Sequence, residues 1–206
     1  MTSPIGASFD AFCDTEGITV DQFRSVMAAA ARTEGSPFAQ VETGAITEDQ
    51  FDEAVAKLLS DACGKTVDAP GLKQRMFAIV VPDEAMWGAV RSARAAGIKT
   101  SLLSNSWGGR DYPLEQLREI FDEIVISGEV RLRKPEPEIY RYTADLVGVP
   151  PDGCVFVDDF SVNVEGAEAV GMTGILHRDP SDTIARLGDL FGLDLESPAD
   201  ARARER

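Results

Sequence analysis

Histidine is nearly absent: His177 is the only one in 206 residues. A lone imidazole excludes multi-histidine zinc sites and argues against a Ser-His or Cys-His nucleophilic pair. Cysteine is scarce as well. Cys13, Cys63 and Cys154 are odd in number and widely scattered, the pattern of free thiols in a reducing cytoplasm. Positive charge is outweighed, with 20 Lys and Arg against 35 Asp and Glu. The resulting net charge of −15 works against non-specific binding to nucleic acid or to an anionic membrane. No apolar run approaches the roughly 18 residues of a membrane span, and the residues after Met1 do not read as a signal peptide. An internal repeat, a Walker loop and a dinucleotide-type glycine fingerprint are also missing. At 44% hydrophobic and 27% charged residues, the composition is that of a soluble globular protein. The length suits one good-sized domain, or one domain carrying a small insert.

Residues 1–80 read as helix without a convincing buried strand. Thr19 with Gln22 fits a capping box, followed on one helical face by Val20, Phe23, Met27 and Ala30. Thr47 with Gln50 repeats the pattern ahead of Phe51, Val55, Leu58 and Leu59, and Gly35-Ser36-Pro37 breaks the chain between the two. These stripes are core-facing surfaces.

The rhythm changes near residue 82. Pro82-Asp83-Glu84 starts a helix carrying Met86, Trp87, Val90 and Ala93 on one face, with Gly97 as its stop. Short apolar runs then alternate with helical patterns. The runs are Ser101 to Leu103, Glu123 to Ser127, Cys154 to Val157 and Thr173 to Leu176. Helices are expected near 115–120, from Pro137 to Val147 and from Ser161 to Val170, with a last one from Asp179-Pro180 to about Gly192. Strands that are continuously apolar predict a mostly parallel sheet covered on both faces.

Ligands bind such sheets outside the carboxyl ends of their strands. There, Leu102-Leu103 gives way to Ser104-Asn105-Ser106 and Trp107-Gly108-Gly109, and Val155-Phe156-Val157 gives way to Asp158-Asp159, Ser161 and Asn163. Arg133-Lys134-Pro135 lies between them. A hydroxyl, a cation and a carboxylate pair on one rim suit an Mg²⁺-assisted phosphate site. The hydroxyl donates to a phosphoryl oxygen, the lysine neutralises charge, and hard oxygens hold the metal. Individually, Ser104 also fits a strand end, Ser161 or Asp159 a helix cap, and Lys134 a solvated surface. The adjacent acids carry more weight, because they repel unless a cation or hydrogen-bond donors compensate.

These motifs resemble the haloacid dehalogenase-like (HAD) superfamily of hydrolases, in particular the branch of the N-terminal phosphatase domain of soluble epoxide hydrolases. Leu102 to Ser106 resembles its second motif, which implies that Ser104, with Asn105 beside it, binds the transferred phosphoryl group. Arg133-Lys134-Pro135-Glu136-Pro137-Glu138-Ile139-Tyr140 resembles the third, with Lys134 as its lysine. Val155 to Asp159, continuing to Asn163, Gly166 and Ala167, resembles the fourth. The match implies Asp159 as direct Mg²⁺ ligand, Asp158 as outer-sphere ligand and Asn163 as support. Glu42-Thr43-Gly44-Ala45-Ile46-Thr47 is similar to part of the helical cap this family inserts after its first strand. The implied architecture is α/β: residues 1–12 lead into a helical cap at 13–80, a Rossmann-like core spans 81–196, and 197–206 form a disordered tail.

One motif of the resemblance is missing. The family's first strand ends in Asp-x-Asp, whose first aspartate attacks phosphorus, and no such strand occurs here. Met1-Thr2-Ser3-Pro4 resembles the segment just after it, so the chain is expected to begin downstream of its nucleophile. Asp10 and Asp14 read as solvated positions of the first helix, and Asp83 as part of a helix start. That strand is central in the family's sheet, so its absence predicts a gap between the strands carrying Ser104 and Asp159, and weak Mg²⁺ affinity. The missing residues of a longer protein, the Phe77–Val81 run, a partner chain or water are expected to fill it.

The leading expectation is a cytoplasmic, Mg²⁺-dependent phosphatase of small phosphorylated metabolites acting through an aspartyl-phosphate, inactive as the chain stands. The superfamily includes dehalogenases, but paired acids favour metal and hence phosphate. The alternative is a non-catalytic relative that binds a phosphorylated ligand or a protein partner. A phosphoacceptor receiver domain is set aside, because its acid pair precedes its lysine whereas Lys134 precedes Asp158. His177 reads as structural.

Overall fold

The structure is a computed structural model that describes residues 2, 5–31, 33, 35–107 and 112–195. The first elements are helices: α1 (Ile5–Glu16), α2 (Val20–Ala31), α3 (Pro37–Glu42), α4 (Glu48–Cys63), α5 (Leu72–Met76) and α6 (Glu84–Ala95). Strands then alternate with helices: β1 (Ser101–Ser104), α7 (Leu114–Ile120), β2 (Glu123–Ile126), α8 (Ser127–Val130), α9 (Pro137–Val147), β3 (Val155–Asp158), α10 (Ser161–Glu168), β4 (Thr173–Leu176) and α11 (Pro180–Phe191). None of the helices among these residues is long and apolar enough to cross a membrane.

Both capping boxes form. Thr47 N donates to Gln50 Oε1 at 2.9 Å while Gln50 N donates to Thr47 Oγ1 at 3.3 Å, and Thr19 and Gln22 make the same exchange at 3.0 and 3.2 Å. Each cap stabilises its helix by about 1 kcal/mol. The apolar stripes behind them meet in a core of their own, where Phe12, Phe23, Phe38, Phe51, Leu59 and Met76 are buried, whereas Leu58 of the α4 stripe is exposed. Ser8, also buried, closes this bundle by donating to the Met76 carbonyl at 2.7 Å.

β1 pairs in parallel with β2, from Ser101↔Glu123 to Ser104↔Ile126. β3 pairs in parallel with β4, from Val155↔Thr173 to Asp158↔Leu176. Side chains alternate between two helical layers. Leu102 packs with α7 residues, and Val155 and Val157 pack with Met86 of α6 and Leu187 of α11. Leu103 and Phe156 point the other way, to Ile139 and Tyr140 of α9 and Ala167 of α10. The architecture is thus a Rossmann-like α/β core with helices on both faces and an added helical bundle.

The sheet is split. Among the described residues the two pairs form separate two-stranded sheets. β1 and β3 are half-buried along their whole length, whereas Val125, Ile126 and Ile175 of their partners are buried. β1 and β3 both line one cavity of about 1700 Å³, walled also by Met86 and Ala89 of α6. Pockets that hold small ligands are nearer 300–1,000 Å³. Ser101 Oγ, on the same cavity, is buried without a hydrogen-bond partner. The Phe77–Val81 run supplies no strand: it turns after α5, leaving Ile79 and Val81 more than half exposed.

Boundaries shift by one or two residues from the sequence reading: β1 runs on to Ser104, β3 spans Val155–Asp158 and α10 ends at Glu168. The chain turns helical at Ser127 instead of ending a strand there, because the buried Ser127 hydroxyl accepts the Ser106 backbone N–H at 2.9 Å. Gly108 and Gly109, and the tail 197–206, lie outside the described residues.

Candidate active site

Lys134 reaches the carboxyl end of β3 from the loop between α8 and α9, and its Nζ donates to Asp158 Oδ2 at 2.6 Å. The two side chains are 10% and 7% exposed, so the ion pair is nearly dry. A dry pair holds only when other hydrogen bonds satisfy its remaining atoms. Asp158 has them: Oδ1 accepts from Phe160 N and from Asn163 Nδ2, each at 2.9 Å. The Lys134 ammonium also sits 5.6 Å from the centre of the Phe156 ring, a cation–π contact.

The Lys134 backbone is fixed from β1's side. Asn105 Oδ1 accepts from Lys134 N at 2.9 Å, and Asn105 Nδ2 donates to Lys134 O at 3.0 Å. The Asn105 amide thereby clamps the lysine loop to the end of β1. Ser104, the last residue of β1, shares a hydrogen bond of 2.9 Å with the Tyr112 hydroxyl. Burial raises the Tyr112 pKa, opposed by the Ser104 bond, so the phenol stays protonated.

Asn163 is held through its own backbone, whose carbonyl accepts from the buried Tyr140 hydroxyl at 2.7 Å. Loss of solvation first, and the Asp158 charge second, raise the Tyr140 pKa. Gly166 explains its presence sterically. A Cβ there would lie 2.7 Å from the Pro135 carbonyl and 2.9 Å from the Tyr140 hydroxyl, so α10 approaches the lysine loop at backbone distance.

Asp159 is exposed at the same rim. Its pKa is raised by partial loss of solvation and then by the neighbouring Asp158 charge, effects that solvent screens at an exposed group. The structure thus brings Lys134, Asp158, Asn163 and Asn105 into one bonded cluster, with Ser104 and Asp159 on the same cavity. The other aspartates weighed in the sequence lie elsewhere. Asp10 and Asp14 are exposed on α1, and Asp83 caps α6 by accepting Met86 N at 3.0 Å. His177 is engaged structurally, its ring bonded to Thr183 Oγ1 at 2.9 Å and its backbone N–H donating to the Asp158 carbonyl at 2.8 Å. Tyr112, and the meeting of Glu42 with Arg133 and Trp107, are additions that no local pattern signalled.

Over residues 2–171 the chain matches the haloacid dehalogenase-like hydrolase family. The chain belongs to that family. Among its relatives is bifunctional epoxide hydrolase 2 of Rattus norvegicus, 29% identical over 171 residues, covering 76% of this chain and 31% of that protein. The chain therefore spans about a third of the length of the epoxide hydrolases it matches. The sesquiterpene phosphatase astK of Aspergillus oryzae is 27% identical over 158 residues, covering 71% of this chain and 80% of the relative. A HAD family enzyme of Bacteroides thetaiotaomicron, crystallised with magnesium and inorganic phosphate, superposes with a TM-score of 0.58 at 20% identity. That match covers 85% of this chain and 89% of the other, and it shows the shared fold.

For a divalent cation the HAD chain offers the consecutive carboxylates of Asp158 and Asp159, beside the Asn163 amide. The described residues contain no cluster of three His, Cys, Asp or Glu able to enclose a metal. Mg²⁺ does not require one: it is usually held by one or two carboxylates, with water and substrate phosphate completing the shell. Loss of solvation first, and the Asp158 charge second, raise the Asp159 pKa, and a cation would offset both. The residues fit Mg²⁺ on those grounds.

Proposed function

We propose that this HAD-like hydrolase chain forms the phosphate-handling part of a Mg²⁺-dependent phosphatase acting on small phosphorylated metabolites in the cytoplasm. The observation that carries this reading is the dry Lys134–Asp158 pair, held by Asn105 and Asn163 at the strand ends. Phosphatases among the relatives support the phosphate ester as substrate class. Cys13, Cys63 and Cys154, all free, suit a reducing compartment.

In this reading Lys134 neutralises a phosphoryl oxygen, and the Ser104 hydroxyl donates to another with Tyr112 as its second partner. Asn105 keeps the lysine loop against β1. Asp159, Asp158 and Asn163 would hold Mg²⁺, which when bound supplies charge neutralisation of the phosphoryl oxygens. The cap helices cover the rim and select the substrate.

Attack on phosphorus requires a nucleophile facing the phosphate. The carboxylates lining the cavity are Glu42, Asp158 and Asp159, and each is accounted for without such a role. The residues described here therefore bind a phosphate without attacking it. The gap between β1 and β3 is where an additional strand, carrying the attacking carboxylate, would complete the sheet. The same gap favours a second reading, a non-catalytic relative that binds a phosphorylated ligand or a protein partner.

Calorimetric titration with inorganic phosphate tests the site. Wild-type chain is expected to bind it, and the variant Lys134→Met in a background of Asp158→Asn is expected to lose at least tenfold in affinity. The double change avoids the roughly 3–5 kcal/mol cost of stranding one buried charge. Equal affinities for the two proteins would refute the assignment of Lys134.

A further inference from the structure

Glu42 is a buried acid that the phosphate-site reading does not use. It is 7% exposed and closes α3, a position where the helix macrodipole gives an acid no support. Its carboxylate instead leaves the cap. Oε1 accepts from Trp107 Nε1 at 3.0 Å, and Oε2 takes Arg133 Nε at 2.7 Å and Nη2 at 2.6 Å. Burial raises the Glu42 pKa, opposed first by the Arg133 charge and then by the hydrogen bonds from Arg133 and Trp107.

These contacts close a ring. Arg133 precedes Lys134, whose backbone is bonded twice to Asn105, and Trp107 stands two residues after Asn105. Glu42 therefore joins the far ends of the two loops that Asn105 joins at the near end. The Trp107 ring is meanwhile inserted into the cap, 5.1 Å from Phe38, 5.2 Å from Phe77 and 5.7 Å from Phe51. The cap turn after Glu42 lies equally close to the core: a Cβ on Gly44 would come within 2.7 Å of the Gly128 carbonyl.

We infer that Glu42 is a positioning residue: from the cap, it fixes the Arg133–Lys134 loop and the Asn105–Trp107 segment, and so sets the place of the Lys134 ammonium. The inference rests on the reading of Lys134 as a phosphate-binding group, but its structural half does not. With the carboxylate neutralised, Arg133 loses its counter-charge and the lysine loop gains freedom.

The test compares the full chain with Glu42→Gln, using hydrogen exchange of the Lys134 backbone amide and of the Trp107 indole N–H. Inorganic phosphate affinity is measured beside them. Exchange at both sites is expected to quicken at least tenfold, while amides in β4 and α11 keep their rates, and phosphate affinity is expected to fall about tenfold. Unchanged exchange at Lys134, or an equal increase across the whole protein, would overturn the inference, because a merely structural acid acts through global stability. If the wild type binds no phosphate, the phosphate reading fails while the exchange comparison still decides the role of Glu42. Arg133→Lys keeps the charge but loses the forked contact. It is expected to give the same local quickening to a smaller degree, and stands in if Glu42→Gln does not fold.

Discussion

At the scale of single residues, hydrogen bonds decide which charges are tolerated. Asp158 survives burial because a lysine, an amide and a backbone N–H all donate to it. Asp122 follows the same rule in a more open place. It accepts from the Thr100 backbone N–H at 2.9 Å and from Arg94 at 3.1 Å, tying the start of β1 to the start of β2. Its pKa is lowered from the ordinary 3.8, first by the Thr100 bond and then, against some burial, by Arg94. A carboxyl with a depressed folded pKa contributes stability that is complete above its unfolded value and is lost as pH falls through the folded one. Asp122→Asn is therefore expected to flatten the decline of stability below about pH 4, read from urea midpoints measured across that range. An unaltered acid limb would contradict it. Among residues, those in the rim motifs were legible because they follow apolar strands. Tyr112, and the engagement of Glu42, were not, since their partners Ser104, Trp107 and Arg133 come from other parts of the chain and leave no periodicity.

Among the elements, α10 shows how a helix can carry a site without a catalytic group. It brings Asn163 to Asp158, and it does so only because Gly166 lets it lie on the Pro135 carbonyl. Gly166→Ala removes that approach, and either the helix or the lysine loop must move. The expected cost is about 1–3 kcal/mol of stability, with weaker binding of inorganic phosphate because Asn163 and Lys134 separate. Thermal unfolding and a phosphate titration check it, and an unshifted melting point would show that the contact relaxes freely. The alternation of strand and helix after residue 100 was legible from apolar runs and their stops. The helical turn at Ser127 was not, because it depends on the Ser106 N–H across the fold rather than on its neighbours.

On the scale of the molecule, the chain is a helical bundle set on a core whose parallel sheet is in two pieces. The division was legible as a missing motif, since the family resemblance places a first strand between the strands bearing Ser104 and Asp158. What lines the resulting cavity was not legible, because it follows from how α6, β1 and β3 face one another. The proposed binding groups are held independently of the gap: Lys134, Asp158, Asn163 and Asn105 satisfy each other on its rim. The central proposal is that the described residues form a phosphate site to which they contribute no nucleophile. The most direct test is ³¹P NMR of the purified chain with Mg²⁺ and a simple phosphate monoester, followed over hours. The account predicts a shifted or broadened ester resonance that disappears as an effect in the Lys134→Met, Asp158→Asn protein, and no signal of released inorganic phosphate. An inorganic-phosphate signal that grows with time and is lost with those substitutions would contradict it.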